Sequence, residues 1–314
     1  MQYLVTGGSG FIGSNIVRTL LTRGENVRVL DNFSTGKREN IYSLLDNPNL
    51  QLIEGDLRSF HIVRNAVKDV DYILHQGALP SVPRSINDPI TTNDVNILGT
   101  LNILEAAREM GIKRVVYASS SSVYGNSEKL PKTEDMPISP LSPYALSKYT
   151  AERYCQLYSQ LYGLETVCIR YFNVFGPYQD PTSQYSAVIP KFIRLIAAGE
   201  RPVIFGDGLQ SRDFTFVANN VEANLLAAKA PGIGGDVFNI ACGERYTLLD
   251  LVDLINKIMG TNIEPIFAES RAGDVKHSMA GIDKAKRLMG YTANTKFEAG
   301  LRQTVAFFCP KASV

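Results

Sequence analysis

MQYLVTGGSGFIGSN, residues 1–15, is the stretch that decides the fold. Its first six residues are mostly apolar and read as a short strand, and glycines follow at once. Gly7, Gly10 and Gly13 have the spacing G-x-x-G-x-x-G, and a helical apolar pattern begins at Phe11. Glycines permit a tight turn, the close approach of a pyrophosphate and close helix–sheet packing. The helix N-terminus adds free N–H donors and a partial positive charge. The order strand, glycine turn, helix therefore predicts a dinucleotide site.

Strand and helix patterns alternate along the first half of the chain. This spacing is typical of a parallel sheet covered by helices on both faces. We predict an α/β fold with a Rossmann-like, doubly wound parallel sheet, in which ligands bind outside the carboxyl ends of the strands. The predicted strands lie at 1–6, 26–30, 50–53, 72–75, 114–118 and 165–169, and the predicted helices at 11–22, 59–68, 94–110 and 144–162.

The alternation of predicted strands and helices becomes less regular after about residue 171. A polar loop at 176–186 is followed by a helix at 188–199, a strand at 202–205, a return strand at 237–240 and a helix at 248–259. We predict a cofactor-binding Rossmann domain over 1–175, with return segments near 212–241. The remainder, 176–314, is predicted to be mainly a smaller, interleaved α/β substrate lobe.

Composition narrows the class of protein. The chain has 314 residues, a net charge of +1 and 20% charged residues, which is ordinary for a globular protein and favours neither nucleic acid nor a membrane as a partner. Four widely spaced cysteines and three scattered histidines form no metal-ligand pattern. We therefore expect no metal. We also expect a cytoplasmic protein, because the thiols are predicted to be free and we find neither a signal peptide nor a long apolar run.

Asp31 ends the second predicted strand. A carboxylate there accepts hydrogen bonds from ribose hydroxyls and repels a 2′-phosphate, which favours NAD over NADP. Lys37 and Arg38 follow closely and could attract such a phosphate, although basic loop residues are usually only solvated. Gly55-Asp56-Leu57 could cap the adenine or could be a plain strand-end turn, and Gln76-Gly77-Ala78 can run beside the cofactor.

The segment Ser142-Pro143-Tyr144-Ala145-Leu146-Ser147-Lys148 suggests catalysis. If a helix begins at Pro143, Tyr144 and Lys148 lie one turn apart on the same face. A nearby ammonium favours the phenolate, so we expect a lowered tyrosine pKa and a general base. The pair alone also fits an ordinary amphipathic helix. A serine cluster at 119–122, after the fifth strand, and the cofactor turn at another strand end favour the catalytic interpretation.

These motifs together resemble the extended short-chain dehydrogenase/reductase family, specifically its nucleotide-sugar 4-epimerases. The resemblance covers nearly the whole chain, and within the family it is strongest to epimerases that accept UDP-N-acetylhexosamines. The motifs that carry it are the glycine turn, Asp31-Asn32, Ser81-Val82-Pro83-Arg84-Ser85, residues 120–125, Tyr144 with Lys148, residues 170–176, Gln179-Asp180-Pro181, Arg212-Asp213-Phe214 and Arg271-Ala272-Gly273-Asp274.

The resemblance implies roles for individual residues. Tyr144 would take the proton from the sugar 4-hydroxyl, Lys148 would lower its pKa and hold the nicotinamide ribose, and Ser120 would hydrogen-bond the reacting oxygen. Implied NAD contacts are Gly7, Gly10, Phe11, Ile12, Gly13, Asp31, Asn32, Ser34, Gly36, Asp56, Leu57, Gln76, Ala78, Tyr144, Lys148, Tyr171 and Val174. Implied UDP-sugar contacts are Ser81, Ser120, Ser121, Ser122, Tyr144, Asn173, Ala187, Val188, Arg212, Arg271, Asp274 and Ser278.

The implied reaction is a 4-epimerisation. Carbon 4 gives hydride to NAD⁺, the 4-keto sugar turns about its pyrophosphate link, and hydride returns to the other face. The position of Ser278 acts in the family as a gate on sugar size, so a serine implies UDP-Glc/Gal and UDP-GlcNAc/GalNAc as substrates. The helices near 94–110 and 144–162 imply a homodimer.

Three other kinds of function are alternatives. A 4,6-dehydratase would need an acidic pair where Ser121 and Ser122 stand. A UDP-glucuronate 4-epimerase or decarboxylase would have to bind a carboxylate near carbon 5, for which Arg84 is a candidate. A non-catalytic NAD(H)-sensing regulator would not need both Tyr144 and Lys148.

Overall fold

The computed structural model describes residues 1–181, 188–269 and 276–310. Its strands within these ranges are β1 Gln2–Thr6, β2 Asn26–Asp31, β3 Leu50–Glu54, β4 Tyr72–His75, β5 Arg114–Ser120, β6 Thr166–Tyr171, β7 Val174–Phe175, β8 Val203–Phe205, β9 Ser211–Arg212, β10 Thr215–Phe216, β11 Val237–Ile240, β12 Tyr246–Thr247 and β13 Ile266–Ala268.

The helices alternate with these strands. They are α1 Phe11–Thr22, α2 Glu39–Tyr42, α3 Phe60–Val67, α4 Val82–Asn87, α5 Pro89–Asn93, α6 Gly99–Met110, α7 Pro143–Tyr162, α8 Val188–Ala197, α9 Val217–Lys229, α10 Leu248–Met259, α11 Asp283–Met289 and α12 Phe297–Phe308. A π-helical segment, Asp94–Leu98, joins α5 to α6, and a 3₁₀ turn, Ser121–Tyr124, follows β5.

The main sheet confirms the predicted parallel α/β fold. Its described strands run in the order β11-β6-β5-β4-β1-β2-β3, all parallel. The chain first builds outward from β1 to β3 and then resumes on the other side of β1 with β4. This reversal leaves a crevice at the carboxyl ends of β1 and β4, where such sheets bind ligands.

Apolar residues cover both faces of the sheet. In β1, Tyr3, Leu4 and Val5 are all fully buried, as expected for a strand with helices on both sides. Two core clusters result, one around Val5 and Ile169 and one around Leu4 and Ile73. Across the described part of the chain, no helix combines the length and hydropathy needed to span a bilayer.

β5 is longer than predicted. The sequence analysis ends it at residue 118, but its pairing with β6 continues through Ser119 and Ser120, which lies opposite Tyr171. The first two serines of the cluster therefore belong to a strand, because backbone hydrogen bonding to a neighbouring strand overrides the low β-propensity of serine.

Three helices of the second half were not predicted: α9, α11 and α12. In α9 the buried residues include Asn219, Asn220 and Asn224, so the buried face does not show as an apolar repeat. Three small two-stranded ladders, β7–β10, β9–β12 and β8–β13, make up the other described sheets. After these ladders, β11 returns to the main sheet beside β6. The predicted domain boundary near residue 175 stays a prediction.

Candidate active site

The glycine turn leaves no room for side chains. Gly7 has φ +64°, and a Cβ there would lie 2.8 Å from the backbone of Gly77. A Cβ on Gly13 would overlap the carbonyl oxygen of Gly7, whereas one on Gly10 would lie 3.2 Å from the same oxygen. The N-terminus of α1 also has no side-chain cap. The turn is thus a backbone cradle that fits a pyrophosphate.

Asp31 joins this turn to the loop after β2. Its Oδ2 accepts a hydrogen bond from Ser9 N at 2.8 Å, and its Oδ1 accepts one from Phe33 N at 2.8 Å. Gly36 passes close by, since a Cβ on it would lie 3.0 Å from Asp31 Oδ2. Each carboxylate oxygen retains acceptor capacity that suits ribose hydroxyls.

The two basic residues near Asp31 are both engaged with carboxylates. Arg38 Nη2 lies 2.7 Å from both carboxylate oxygens of Glu54, and its guanidinium stands 3.9 Å from the ring centroid of Phe33. Lys37 Nζ lies 3.0 Å from Asp180 Oδ1. These pairings favour NAD over NADP, because a 2′-phosphate would have to compete with them.

The predicted adenine-side residues come together at the ends of β2 and β3. Asn32 Nδ2 donates to Asp56 Oδ2 at 2.9 Å, and Ser34 N donates to Asn32 Oδ1 at 3.0 Å. The Arg58 side chain donates to both oxygens of Asp56 and holds the pKa of that carboxyl at about 2. Leu57 is buried beneath Gly77 and Gly99.

Gln76 and Tyr171 form a closed group with Asn224, a residue that the sequence analysis missed. Asn224 Nδ2 donates to Tyr171 OH at 2.7 Å, Tyr171 OH donates to Gln76 Oε1 at 3.0 Å, and Gln76 Nε2 donates to Asn224 Oδ1 at 2.9 Å. Burial raises the pKa of Tyr171 to about 12. The remaining cofactor candidates, Ala78 and Val174, are both partly buried.

Helix α7 begins at Pro143, as the catalytic interpretation requires. Ser142 is its N-cap and accepts a hydrogen bond from Ala145 N at 3.1 Å. Tyr144 is partly buried. Its pKa is raised, because burial outweighs the opposing effect of the Ser120 side chain. The predicted lowering of this pKa is therefore wrong.

Lys148 explains the difference. Its side chain is almost fully buried, and Nζ donates to the carbonyl of Ala118 at 2.8 Å. Burial lowers its own pKa to about 8. The ammonium is thus directed at β5 and is not among the groups that lower the pKa of Tyr144.

The geometry distinguishes the four serines of the cluster. Ser119 Oγ is buried and donates to Glu152 Oε2 at 2.8 Å. Ser122 donates to Ser120 Oγ from its N–H at 3.2 Å and from its hydroxyl at 2.9 Å. Of the four hydroxyls, that of Ser120 is the one that lowers the pKa of Tyr144, so it is the one best placed beside the phenol.

A cavity of about 310 Å³ lies beside β7, β8 and β9. It brings together three predicted substrate residues, Asn173, Val188 and Arg212, with one predicted cofactor residue, Val174. Its remaining lining is mainly apolar and aromatic: Phe175, Ile189, Lys191, Phe192, Val203, Phe205, Gln210, Phe214 and Leu248. Of these, only Gln210 lies in the glycine-rich loop at 206–211, which was the available signal for it.

Ser278 lies beside Arg212 through backbone pairing. Ser278 N donates to Ser211 O at 3.0 Å, and Arg212 Nη1 donates to Ser211 O at 3.0 Å and to Lys276 O at 3.2 Å. The segment that carries the proposed gate therefore runs along β9. Predicted contacts Ala187, Arg271 and Asp274 lie outside the described residues.

Two further motif residues have defined positions. Ser81 has φ +100° and caps α4, where its Oγ accepts from Arg84 N at 3.3 Å. Gln179 Nε2 donates to Val174 O at 3.2 Å, and its buried Oε1 has no partner within the described ranges. This buried acceptor makes Gln179 an additional candidate site residue, which its motif alone does not indicate.

Comparison with known proteins agrees with this geometry. A model of the NAD dependent epimerase/dehydratase family matches residues 3–241. A solved UDP-N-acetylglucosamine 4-epimerase from Methanobrevibacter ruminantium M1, in complex with UDP-N-acetylmuramic acid, has 41% identity and a TM-score of 0.93, with 99% of this chain and 98% of that chain covered.

Two more relatives differ in the sugar that they are named for. A Thermotoga maritima UDP-glucose 4-epimerase, solved with UDP-glucose, has 36% identity and a TM-score of 0.92, with 98% of both chains covered. A UDP-glucuronate 4-epimerase of Thermodesulfobacterium geofontis is 33% identical over 313 residues, which are 96% of this chain and 94% of the relative. The chain belongs to the NAD-dependent epimerase/dehydratase family.

Proposed function

We propose that this protein is a UDP-sugar 4-epimerase that interconverts UDP-glucose with UDP-galactose and UDP-N-acetylglucosamine with UDP-N-acetylgalactosamine. One observation carries the proposal. Ser120 ends β5 at the carboxyl edge of the same sheet that holds the glycine turn, and its side chain lowers the pKa of the Tyr144 phenol beside it. A proton acceptor, a hydroxyl donor and a cofactor cradle thus share one edge.

The protein's own groups handle the proton. Tyr144 takes the proton of the sugar 4-hydroxyl and later returns it, while Ser120 donates a hydrogen bond to the reacting oxygen. Lys148, almost fully buried one helical turn from Tyr144, donates to the Ala118 carbonyl in β5 and would hold the nicotinamide ribose at this edge. NAD⁺ bound along this edge supplies a hydride acceptor and an additional positive charge that favours the phenolate.

The cavity suits a substrate held by one end. Arg212 stands at its wall and can bridge two phosphate oxygens with its planar guanidinium. The apolar and aromatic lining offers few directional contacts to a sugar. Firm binding of the diphosphate and loose binding of the sugar allow the 4-keto intermediate to present its second face.

The breadth of substrates depends on Ser278. A serine leaves space for an N-acetyl group that a tyrosine would fill, and the backbone N–H of Ser278 anchors it to Ser211 O. We expect Ser278→Tyr to reduce kcat/KM for the N-acetylated pair by at least about tenfold and to retain the hexose reaction. NMR detection of each 4-epimer measures both reactions.

A matched variant makes this test decisive. Ser278→Ala removes the hydroxyl without filling space and should leave both reactions within about twofold of the native protein. Retention of N-acetylhexosamine turnover in Ser278→Tyr would refute the gate. Absence of every epimerisation in the native, NAD-loaded protein would refute the proposed function itself.

A UDP-glucuronate 4-epimerase is the second candidate. Arg84 is half-buried beside Ser81, and no hydrogen bond or ion pair of its guanidinium is found in the described part of the chain. A free guanidinium near the sugar would suit a carboxylate. Turnover of UDP-glucuronate that Arg84→Gln abolishes, in a native protein that does not epimerise the neutral UDP-hexoses, would establish this candidate in place of the first.

We also propose a homodimer through α6 and α7. Helix α7 and the π-helical segment that leads into α6 expose large apolar side chains on the described surface, namely Leu98, Leu146, Leu157, Leu161 and Tyr162. Such a group of exposed residues marks an interface. Light scattering should show a dimer that Leu161→Asp dissociates and that Tyr42→Ser, at an exposed position of α2, leaves intact.

A further inference from the structure

Two loops meet above the glycine turn. The first is 32–38, which follows β2. Lys37 N donates to Ser9 O at 3.0 Å, and Asn40 Nδ2 donates to the same oxygen at 2.9 Å. This loop is therefore fixed directly onto the turn that forms the cofactor cradle.

The second loop is 176–181, which follows β7. Asn15 Nδ2 donates to Pro177 O at 3.0 Å, and the guanidinium of Arg18 lies 4.3 Å from the ring centroid of Tyr178. Both contacts are made by α1. The second loop is thus held against the helix whose N-terminus faces the cofactor pyrophosphate.

An ion pair joins the loops. Lys37 Nζ lies 3.0 Å from Asp180 Oδ1, and the two side chains are 45% and 32% exposed. β2 lies on one side of β1, whereas β7 follows β6 on the other side. We propose that loops 32–38 and 176–181 form a strap across the dinucleotide cleft, and that the Lys37–Asp180 ion pair slows release of the cofactor.

The strap meets a requirement of a reaction with no net redox change. The reduced cofactor must remain bound until hydride has returned to the sugar, since earlier release would leave the keto sugar without a hydride donor. The inference rests on the family's NAD dependence and not on which sugar is used. An exposed ion pair contributes modestly, so its loss should speed release by about two- to fivefold, and added salt should weaken it.

The test measures NADH dissociation without any sugar. Holoprotein loaded with NADH is mixed with excess NAD⁺, and the decay of bound NADH fluorescence gives the release rate. We expect Lys37→Gln and Asp180→Asn each to speed release by about two- to fivefold. Combining them should add nothing further, and the exchanged pair Lys37→Asp with Asp180→Lys should restore slow release.

The control is a matched ion pair outside the cleft. Arg23 and Glu222 join α1 to α9 at 2.6 Å with 49% and 35% exposure, so Arg23→Gln should leave NADH release unchanged. Faster release in Lys37→Gln with unchanged or slower release in Asp180→Asn would mean that Lys37 binds the cofactor itself, and would overturn the strap. Native release rates in both single variants would overturn it as well.

Discussion

Replacing Glu152 by glutamine should lower the stability of the protein far more than the same replacement in an exposed glutamate–arginine ion pair. Glu152 Oε1 accepts from Arg170 Nη2 at 2.6 Å, and Oε2 accepts from Arg170 Nε at 3.0 Å and from Ser119 Oγ at 2.8 Å. The two charged side chains are 1% and 4% exposed. Burial lowers the pKa of Arg170, but the hydrogen bonds and charge of Glu152 outweigh it and leave that pKa raised.

The expected cost follows from these contacts. A glutamine keeps one of the two acceptor oxygens of Glu152. Its NH₂ group replaces the other oxygen and would face the N–H donors of Arg170 or the hydroxyl of Ser119. The guanidinium of Arg170 is then buried without a countercharge, which costs about 3–5 kcal/mol in the free energy of unfolding. For a chain of this size that corresponds to a fall in Tm of about 5–8 °C.

The assay is thermal unfolding followed by circular dichroism, with kcat measured in parallel. Since Ser119 adjoins Ser120 in β5, Glu152→Gln should also lower kcat. Arg302 and Glu298 provide the matched control, because their ion pair also measures 2.6 Å but is 52% and 45% exposed. Glu298→Gln should cost no more than about 0.5 kcal/mol.

Two results would refute the reasoning. One is a fall in Tm of less than about 2 °C for Glu152→Gln, and the other is an equal fall for Glu298→Gln. A further variant tests the cause. Glu152→Leu combined with Arg170→Met removes both charges and should recover at least about half of the lost stability, because an apolar pair carries no desolvation cost.

Three other outcomes are expected. Tyr144→Phe should lower kcat by about 10²- to 10⁴-fold while bound NAD, measured by mass spectrometry, stays at the native level. Lys148 has a pKa of about 8 in the folded chain, below its unfolded value, so its burial destabilises the protein by up to about 3 kcal/mol below pH 8 and by nothing above about pH 10.5. Lys148→Met should therefore unfold at a higher Tm than the native protein at pH 7, with the difference shrinking as pH rises, and an unchanged difference would contradict this sign. Gly13→Ala should lose bound NAD and Gly10→Ala should lose less, because only the first places a Cβ within overlap of the Gly7 carbonyl.

Several parts of the site were predictable because they depend on neighbours in sequence. The glycine spacing, the apolar strand before it and the proline before Tyr144 all act over one turn or less. Asp31 was equally accessible, since it ends a strand that its own residues define. For the same reason the strand–helix alternation of the first half predicted the parallel sheet.

Other features depend on partners far along the chain. Asn224 reaches Gln76 and Tyr171 only because α9 packs beside the sheet. Since several buried positions of α9 are asparagines, its sequence shows no apolar repeat from which the helix could be predicted. The extension of β5 through Ser120 similarly required β6 as a pairing partner.

Charge and proton affinity were decided by tertiary structure. From the sequence, Lys37 and Arg38 could either attract a 2′-phosphate or be only solvated. In the fold they pair with Asp180 and Glu54, which favours NAD. The chain by itself determined that Tyr144 and Lys148 share a helix face. Only the fold decided that Lys148 binds a strand carbonyl and that burial raises the pKa of Tyr144, because desolvation depends on every element that surrounds a group.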